Sequence, residues 1–311
     1  MAQGRGTGGR DRKPSGPGKR AGAPGLSRSS TGRSKGSDSR RETAGRDGRR
    51  DDRSGDRRGD STQRGARDSR DRRAEMTPEE RTEAQARYDG PPIPDEITGK
   101  ELDRSVLAQL RSLPEKLGQR VARHLAAAGA LIDDDPKTAY QHTLAARARA
   151  SRLAVVREAA GEAAYAAGEY AEALTELRAA KRMNGVQDYV AIMADCERAL
   201  GRPDRALDLV RKVSREGVSS ELQAELTIVE AGARRDRGEL DAALRTLELS
   251  PITSKTRASW VVRLRYAYAD TLVAAGRPDD ALQWFHRTEA IDGEEITDAA
   301  ERASELEAQQ G

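Results

Sequence analysis

The chain is poor in the residues from which most folds and active sites are assembled. It has one cysteine, Cys196, in 311 residues, so no internal disulfide can form and nothing points to a secreted disulfide fold. There are three histidines, His124, His142 and His286, and none stands at metal-ligand spacing from another candidate ligand, so no zinc set is visible. Aromatic residues make up 3% of the chain, with a single Phe. Any core must therefore be mainly Ala, Leu and Val. The longest apolar stretch, around Leu125 to Ile132, is far shorter than the roughly 20 residues a membrane-crossing helix needs. The opening MAQGRGTGGRDRK has no apolar segment and does not read as a signal peptide. These absences lead to the expectation of a soluble cytoplasmic protein with no membrane partner.

Catalytic signatures are scarce as well. Neither HExxH nor a phosphate-binding GxxxxGK[ST] occurs. The glycine-dense GRGTGG at Gly4 to Gly9 precedes no strand or helix, and Arg58-Gly59-Asp60 is what a segment built from R, G and D contains by chance. No nucleophile stands beside an identifiable base. The expectation is a protein that is not an enzyme and that holds no cofactor and no metal.

What is present in excess is charge, unevenly spread. Residues 1–74 carry 22 Lys plus Arg against 10 Asp plus Glu, a net of +12; residues 75–311 carry 33 against 42, a net of −9. Arg outnumbers Lys 46 to 9, which a GC-rich coding bias explains without invoking nucleic acid. In residues 1–74, Leu26 is the only large apolar side chain. With nothing to bury, this Gly-Arg-Ser-Asp segment is expected to be disordered, basic over its first half and polyampholytic over its second. Thr77-Pro78-Glu79-Glu80 has the form of a helix start. Asp89-Gly90-Pro91-Pro92-Ile93-Pro94 then reads as an extended connector. The expected organisation is a tail over 1–74, a short helix and Pro-rich connector over 75–97, and a helical body over 98–311.

The body reads as helices throughout. Thr98 and Glu101 form a candidate capping box, and Leu102, Val106 and Leu110 share one face of the helix expected to follow, to about Leu113. Pro114 opens the next, carrying Leu117, Val121, Leu125 and Ala128. Asp133-Asp134-Asp135-Pro136 stops it and caps its successor, so the three acids need no metal to explain them. Beyond that point a period emerges. A small residue opens the second helix of each pair at Ala139, Ala173, Ala206, Ala243 and Ala281, at spacings of 34, 33, 37 and 38. In the last four units a glycine lies five residues earlier, in the turns GEYAEA, GRPDRA, GELDAA and GRPDDA. Gly168, Gly201, Gly238 and Gly276 can each end a first helix in a left-handed conformation. Pro203 and Pro278 start second helices where the missing N–H costs nothing, and the Ala leaves room for close antiparallel packing. A bulky residue follows four positions later at Leu177, Val210, Leu247 and Phe285, with Thr143 the poor match. The C-terminal ITDAAERASELEAQQ reads as a helix capping the last pair.

A unit of about 34 residues with small residues at these places resembles the tetratricopeptide repeat. The likeness covers roughly residues 115–290 and is strongest at 154–187. The body is also similar to a group of uncharacterised actinobacterial proteins of this architecture, through ITGKELDRSV, VARHLAAAGALIDDDP, VVREAAGEAAYAAGEYAEALTELRAAKRM and MADCERALGRPDRAL. The resemblance implies an all-α solenoid of about five antiparallel helix pairs. It departs from the family where a large aromatic is usual near the start of the first helix: Arg157, Val190, Thr227 and Arg265 stand there. The paired Lys and Asn with which some members grip a peptide carboxylate are missing.

Such a stack presents the first helices of its pairs on a concave surface. The side chains expected there are Glu158, Glu162, Tyr165, Asp188, Asp195, Arg198, Glu225, Arg235, Arg263, Tyr266 and Asp270. Acids outnumber arginines six to three, or seven to three with Asp236, so the expected partner is a basic or amphipathic protein or peptide segment. Two functions stay open: a non-catalytic protein-interaction scaffold, and an RNA- or ribosome-associated factor anchored by the basic tail. RNA binding by Arg and Gly without interleaved aromatics would be weak, non-specific and salt-sensitive. The same tail is also tethered to an acidic body at high effective concentration, and could rest on it.

Overall fold

The computed structural model describes residues 89–310. The tail expected over 1–74 and the helix expected after Thr77 lie outside them. Among the described residues the chain forms twelve α-helices and no strand. Contacts divide these residues into two units that part between Ala160 and Gly161, and each is described by itself.

In the first unit the connector runs to Asp103. Glu101 does reach back to Thr98, accepting from its backbone N–H at 3.0 Å and its hydroxyl at 2.9 Å. These bonds close a turn, however, and not a helix. Helix α1 (Arg104–Leu110) starts later and ends earlier than the sequence suggested. Asp103 caps it, its carboxylate accepting from the Ser105 N–H at 2.7 Å. Helix α2 (Glu115–Leu131) follows Pro114, and α3 (Pro136–Ala150) starts with Asp135 accepting from the Thr138 N–H at 3.1 Å and Pro136 in the first turn. That is the arrangement the acid-rich turn implied. Helices α2 and α3 pack on each other. Val106, Leu110, Val121, Leu125, Ala146, Val155 and Val156 form the core of this unit. Helix α4 (Ala154–Ala166) contributes residues to both units.

The second unit continues with α5 (Tyr170–Asn184), α6 (Val190–Ala199), α7 (Pro203–Arg211), α8 (Ser220–Asp236), α9 (Leu240–Glu248), α10 (Ser259–Ala274), α11 (Pro278–Glu289) and α12 (Ala299–Gln310). Four turns within it share one closure. At Gly168, Gly201, Gly238 and Gly276 φ is +72° to +82°. Each glycine N–H donates three residues back, and the next N–H donates five back. The pairs are Gly168 to Tyr165 and Glu169 to Ala164, Gly201 to Arg198 and Arg202 to Glu197, Gly238 to Arg235 and Glu239 to Arg234, and Gly276 to Val273 and Arg277 to Leu272. This doubled bond satisfies the last carbonyls of the helix, and a side chain would strain the left-handed residue on which it turns. The next helix begins two residues beyond each glycine. The turn chemistry written four times in the sequence is thus formed four times.

Packing follows the same register. Helix α6 packs on α7, α8 on α9 and α10 on α11; each of α6, α8 and α10 also packs on the helix before it. Helix α8 touches α6 and α10, and α12 covers α11. The four alanines Ala173, Ala206, Ala243 and Ala281 of this unit are fully buried, as are Leu177, Leu247 and Phe285, with Val210 nearly so. Burial of each of these larger side chains stabilises the fold by roughly 1.5–3 kcal/mol. Thr143, the poor match in the first unit, is fully buried too. Its hydroxyl donates to the Tyr140 carbonyl at 2.7 Å, so a polar group is tolerated because it is satisfied locally. The small residues serve close approach. A Cβ placed on Gly161 of α4 would lie 2.5 Å from both Cγ and Cδ2 of Leu177 on α5.

Candidate functional site

The residues expected on the first-helix face fall on α4, α6, α8 and α10, except Asp188, which lies exposed in the turn before α6. In the second unit the structure joins most of them into a row of polar contacts running from helix to helix. The Tyr165 hydroxyl of α4 donates to the Asp195 carboxylate of α6. Asp195 accepts from Arg198 at 2.8 Å, and Arg198 reaches on to Asp236 at the end of α8, also at 2.8 Å. Glu225 of α8 accepts from Arg263 of α10 at 2.7 Å. Arg235 of α8 donates to Asp270 of α10 at 2.6 Å, and Asp270 also accepts from Arg302 of α12 at 3.1 Å. Arg302 in turn donates to the Tyr266 hydroxyl at 3.3 Å and lies 5.1 Å over the Phe285 ring.

The electrostatics of this row come from partial burial opposed by pairing. Burial alone would raise the Asp270 carboxyl, but the Arg235 and Arg302 guanidiniums outweigh it and hold the group below its ordinary range. Burial would lower Arg198; its hydrogen bond to Asp236 and the charge of Asp195 reverse the sign and raise it. Tyr266 is pushed well above its usual value by burial and by the neighbouring Asp298. Its hydroxyl therefore stays protonated at neutral pH. Each charge is held near an opposite one, so the row is a set of fixed, mutually compensated dipoles more than a belt of free acid. Glu162, expected to be surface-facing, is buried, because its position on α4 turns toward the packed side. Glu158 lies in the first unit and is half-buried.

The sequence reading missed Arg302, Asp236 as a partner of Arg198, and Asp298. A signal for the pairs was present: Glu225 and Arg263 stand 38 residues apart, Arg198 and Asp236 also 38, and Arg235 and Asp270 35. The first two lie within one residue of the local repeat spacings of 37 and 38, and the third falls about one helical turn short, so opposite charges about one unit apart marked contacts between neighbouring first helices.

The positions where an aromatic was looked for carry another solution. Arg265 uses its guanidinium to hold the preceding loop, donating to the Ile252 and Ser254 carbonyls at 2.8 Å each and to the Arg287 carbonyl at 2.9 Å. Arg157 likewise donates to the Ser151 carbonyl at 2.9 Å, and Thr227 accepts from Arg215 at 3.0 Å. Val190 is buried.

Elsewhere two titratable features are internal. Glu197 of α6, 1% exposed, accepts from Arg178 of α5 at 2.5 Å and from Arg202 at 3.5 Å. In the first unit His124 of α2 and His142 of α3 are both buried, with Nδ1 atoms 3.1 Å apart. One ring must donate and the other accept, so the two cannot both be imidazolium, and burial lowers the pKa of each, which favours the neutral forms. Cys196 is buried. Among the described residues no group of three or more His, Cys, Asp or Glu side chains is arranged to hold a metal ion, and no helix is long and apolar enough to cross a membrane. In comparison with known proteins, the chain matches no family model and no curated sequence.

Proposed function

We propose that the chain is a non-catalytic scaffold of the tetratricopeptide-repeat kind, an α-solenoid that presents the first helices of its pairs to a segment of a partner protein. The observation that carries this reading is the fourfold recurrence of one helix closure, at Gly168, Gly201, Gly238 and Gly276, with a buried Ala five residues on. A chain that repeats one hairpin gains extended surface with each unit, and such surfaces serve binding. The row from Tyr165 to Arg302 is the working face. Its paired charges offer alternating donors and acceptors in fixed positions. An amphipathic partner segment that exchanges ion pairs with them suits this face better than a purely basic one would.

The test is co-purification with the full chain, and with residues 1–88 and 89–311 expressed separately so that the connector stays with the helices it is bonded to, before and after nuclease treatment. The proposal expects a partner protein that stays with 89–311 after nuclease. Partners that follow residues 1–88 and leave with the nucleic acid would replace it with the RNA- or ribosome-associated reading.

A further inference from the structure

We infer that the cleft between the Asp89–Ile93 connector and helix α2 is a binding site for a small organic oxyanion, a phosphate- or carboxylate-bearing molecule with an apolar body. The site lies within the first unit, and the inference does not depend on the scaffold reading.

The cleft has a volume of about 470 Å³, several times that of a bare oxyanion and suited to a small organic molecule. One wall is cationic. Lys116, Arg120 and Arg123 stand at i, i+4 and i+7 on α2, so successive turns bring all three to the same face. Asp89 is the one acid among the described lining residues. It is shared: Arg120 donates to it at 3.2 Å, and Arg149 of α3, whose side chain is 2% exposed, donates at 3.1 Å. The lining thus holds more positive than negative charge, and an incoming anion would relieve the repulsion among the cations.

The wall is also pre-formed. Arg123 donates from Nε to the Ile97 carbonyl at 2.6 Å and from Nη2 to the Pro94 carbonyl at 3.0 Å, so its planar head is already held and little side-chain entropy is left to lose on binding. The opposite wall is Pro91, Pro92 and Ile93. Prolines there offer no N–H to an anion and instead an apolar surface for the rest of the ligand. The two walls are fixed close together by Gly90. A Cβ there would fall 2.5 Å from the Ala145 Cβ and 3.0 Å from the His124 Cε1.

His124 supplies the remaining sign of a ligand site. It lines the cleft, it is 1% exposed, and its Nε2 is buried with no hydrogen-bond partner among the described residues. A buried ring nitrogen without a partner costs free energy; with His142 donating to its Nδ1, the ring carries its proton on Nε2, and an oxyanion that enters past the side chains covering it would accept from it. Burial, then the charges of His142 and the arginines Arg149, Arg120 and Arg123, hold this ring neutral by pushing its pKa down to about 4. A bound anion opposes those charges and raises it.

The experiment titrates phenyl phosphate and inorganic pyrophosphate into the full chain at low ionic strength by calorimetry. In parallel, the ring nitrogens of His124 and His286 are followed by NMR. Saturable binding of phenyl phosphate is expected, with the His124 midpoint raised and that of exposed His286 unchanged. Lys116→Ala/Arg120→Ala removes two exposed cations and should weaken binding about tenfold or more. Lys116→Glu alone, which leaves the Arg120–Asp89 bond in place, should weaken it in the same direction. Absence of saturable binding, binding by both variants as tight as that of the unaltered chain, or equal shifts at His124 and His286 would overturn the site. Binding of pyrophosphate with none of phenyl phosphate would overturn the organic ligand assigned to it.

Discussion

Acidification should loosen the first unit selectively, because its core holds two neutral histidines in contact. In the fold, His124 takes up a proton only near pH 4, against 6.5 for the free side chain. His142 is shifted the same way by burial. The folded state therefore binds fewer protons than the unfolded chain between these values. Stability is complete above about pH 6.5, falls as the pH drops through that value, and has lost the whole His124 contribution once the pH passes about 4. The shift corresponds to about 3 kcal/mol in all for His124, of which about 2 kcal/mol is lost between pH 7 and pH 5. The His142 loss has the same sign, and the two rings titrate as a pair. The capping carboxylates Asp103 and Asp135 are held below their ordinary range by bonds from Ser105 and Thr138, so they stay ionised across that window. The assay is native-state hydrogen exchange, corrected for intrinsic rates, comparing amides of α2 and α3 with those of α10 and α11. The opening free energy of α2 and α3 should fall by about 2 kcal/mol while that of α10 and α11 changes little. His124→Asn should flatten the dependence whatever it does to stability at neutral pH. An unchanged opening free energy in α2 and α3, or a His124 midpoint near 6.5 by NMR, would refute the reasoning.

Further expectations follow from the packing and the charge row. Gly168→Ala places a Cβ where nothing lies within 4 Å, so only the left-handed backbone is strained and the cost should be about 1 kcal/mol. Gly161→Val drives atoms into the buried Leu177 and should cost about 2 kcal/mol or more, despite the loss of a flexible helix residue; denaturant titration followed by circular dichroism separates the two. Phe285→Ala should cost about 3–5 kcal/mol and lower the thermal midpoint of the second unit, read from the fluorescence of Trp260 and Trp284. Asp270→Ala strips one carboxylate from two arginines and should cost about 2 kcal/mol. A double-mutant cycle with Arg302→Ala should show coupling above about 0.5 kcal/mol, and additivity would remove Asp270 from the row.

Much of the fold was legible because its information is local. The glycine at each closure, the alanine five residues later and the prolines at Pro136, Pro203 and Pro278 act within one turn of chain, and the structure forms them as written. Thr98 and Glu101 misled for the same reason. Their side chains meet as a capping box does, but Asp103 offers a second cap nearer the apolar run, and the helix begins from it. The candidate face was harder to read. Which side chains stand on the first helices follows from periodicity, and Asp195, Arg198 and Arg235 were found that way. Which of them pair depends on contacts about a full unit apart, so the Arg302–Asp270 bond was not legible although the last helix was expected to cap the last pair. Glu162 went astray because one helix position separates a surface carboxylate from a buried one. The sequence showed Asp89 to Pro94 only as an extended connector. The structure instead fastens it to α2 through Arg123 and to α3 through Asp89, both long-range bonds.

The measurement that bears most on the proposed role is hydrogen exchange on the full chain alone and with its co-purifying partner. The scaffold reading predicts slowed exchange along α6, α8 and α10, with α7, α9 and α11 little changed. Slowing confined to those second helices, or none anywhere beyond Ala160, would contradict it.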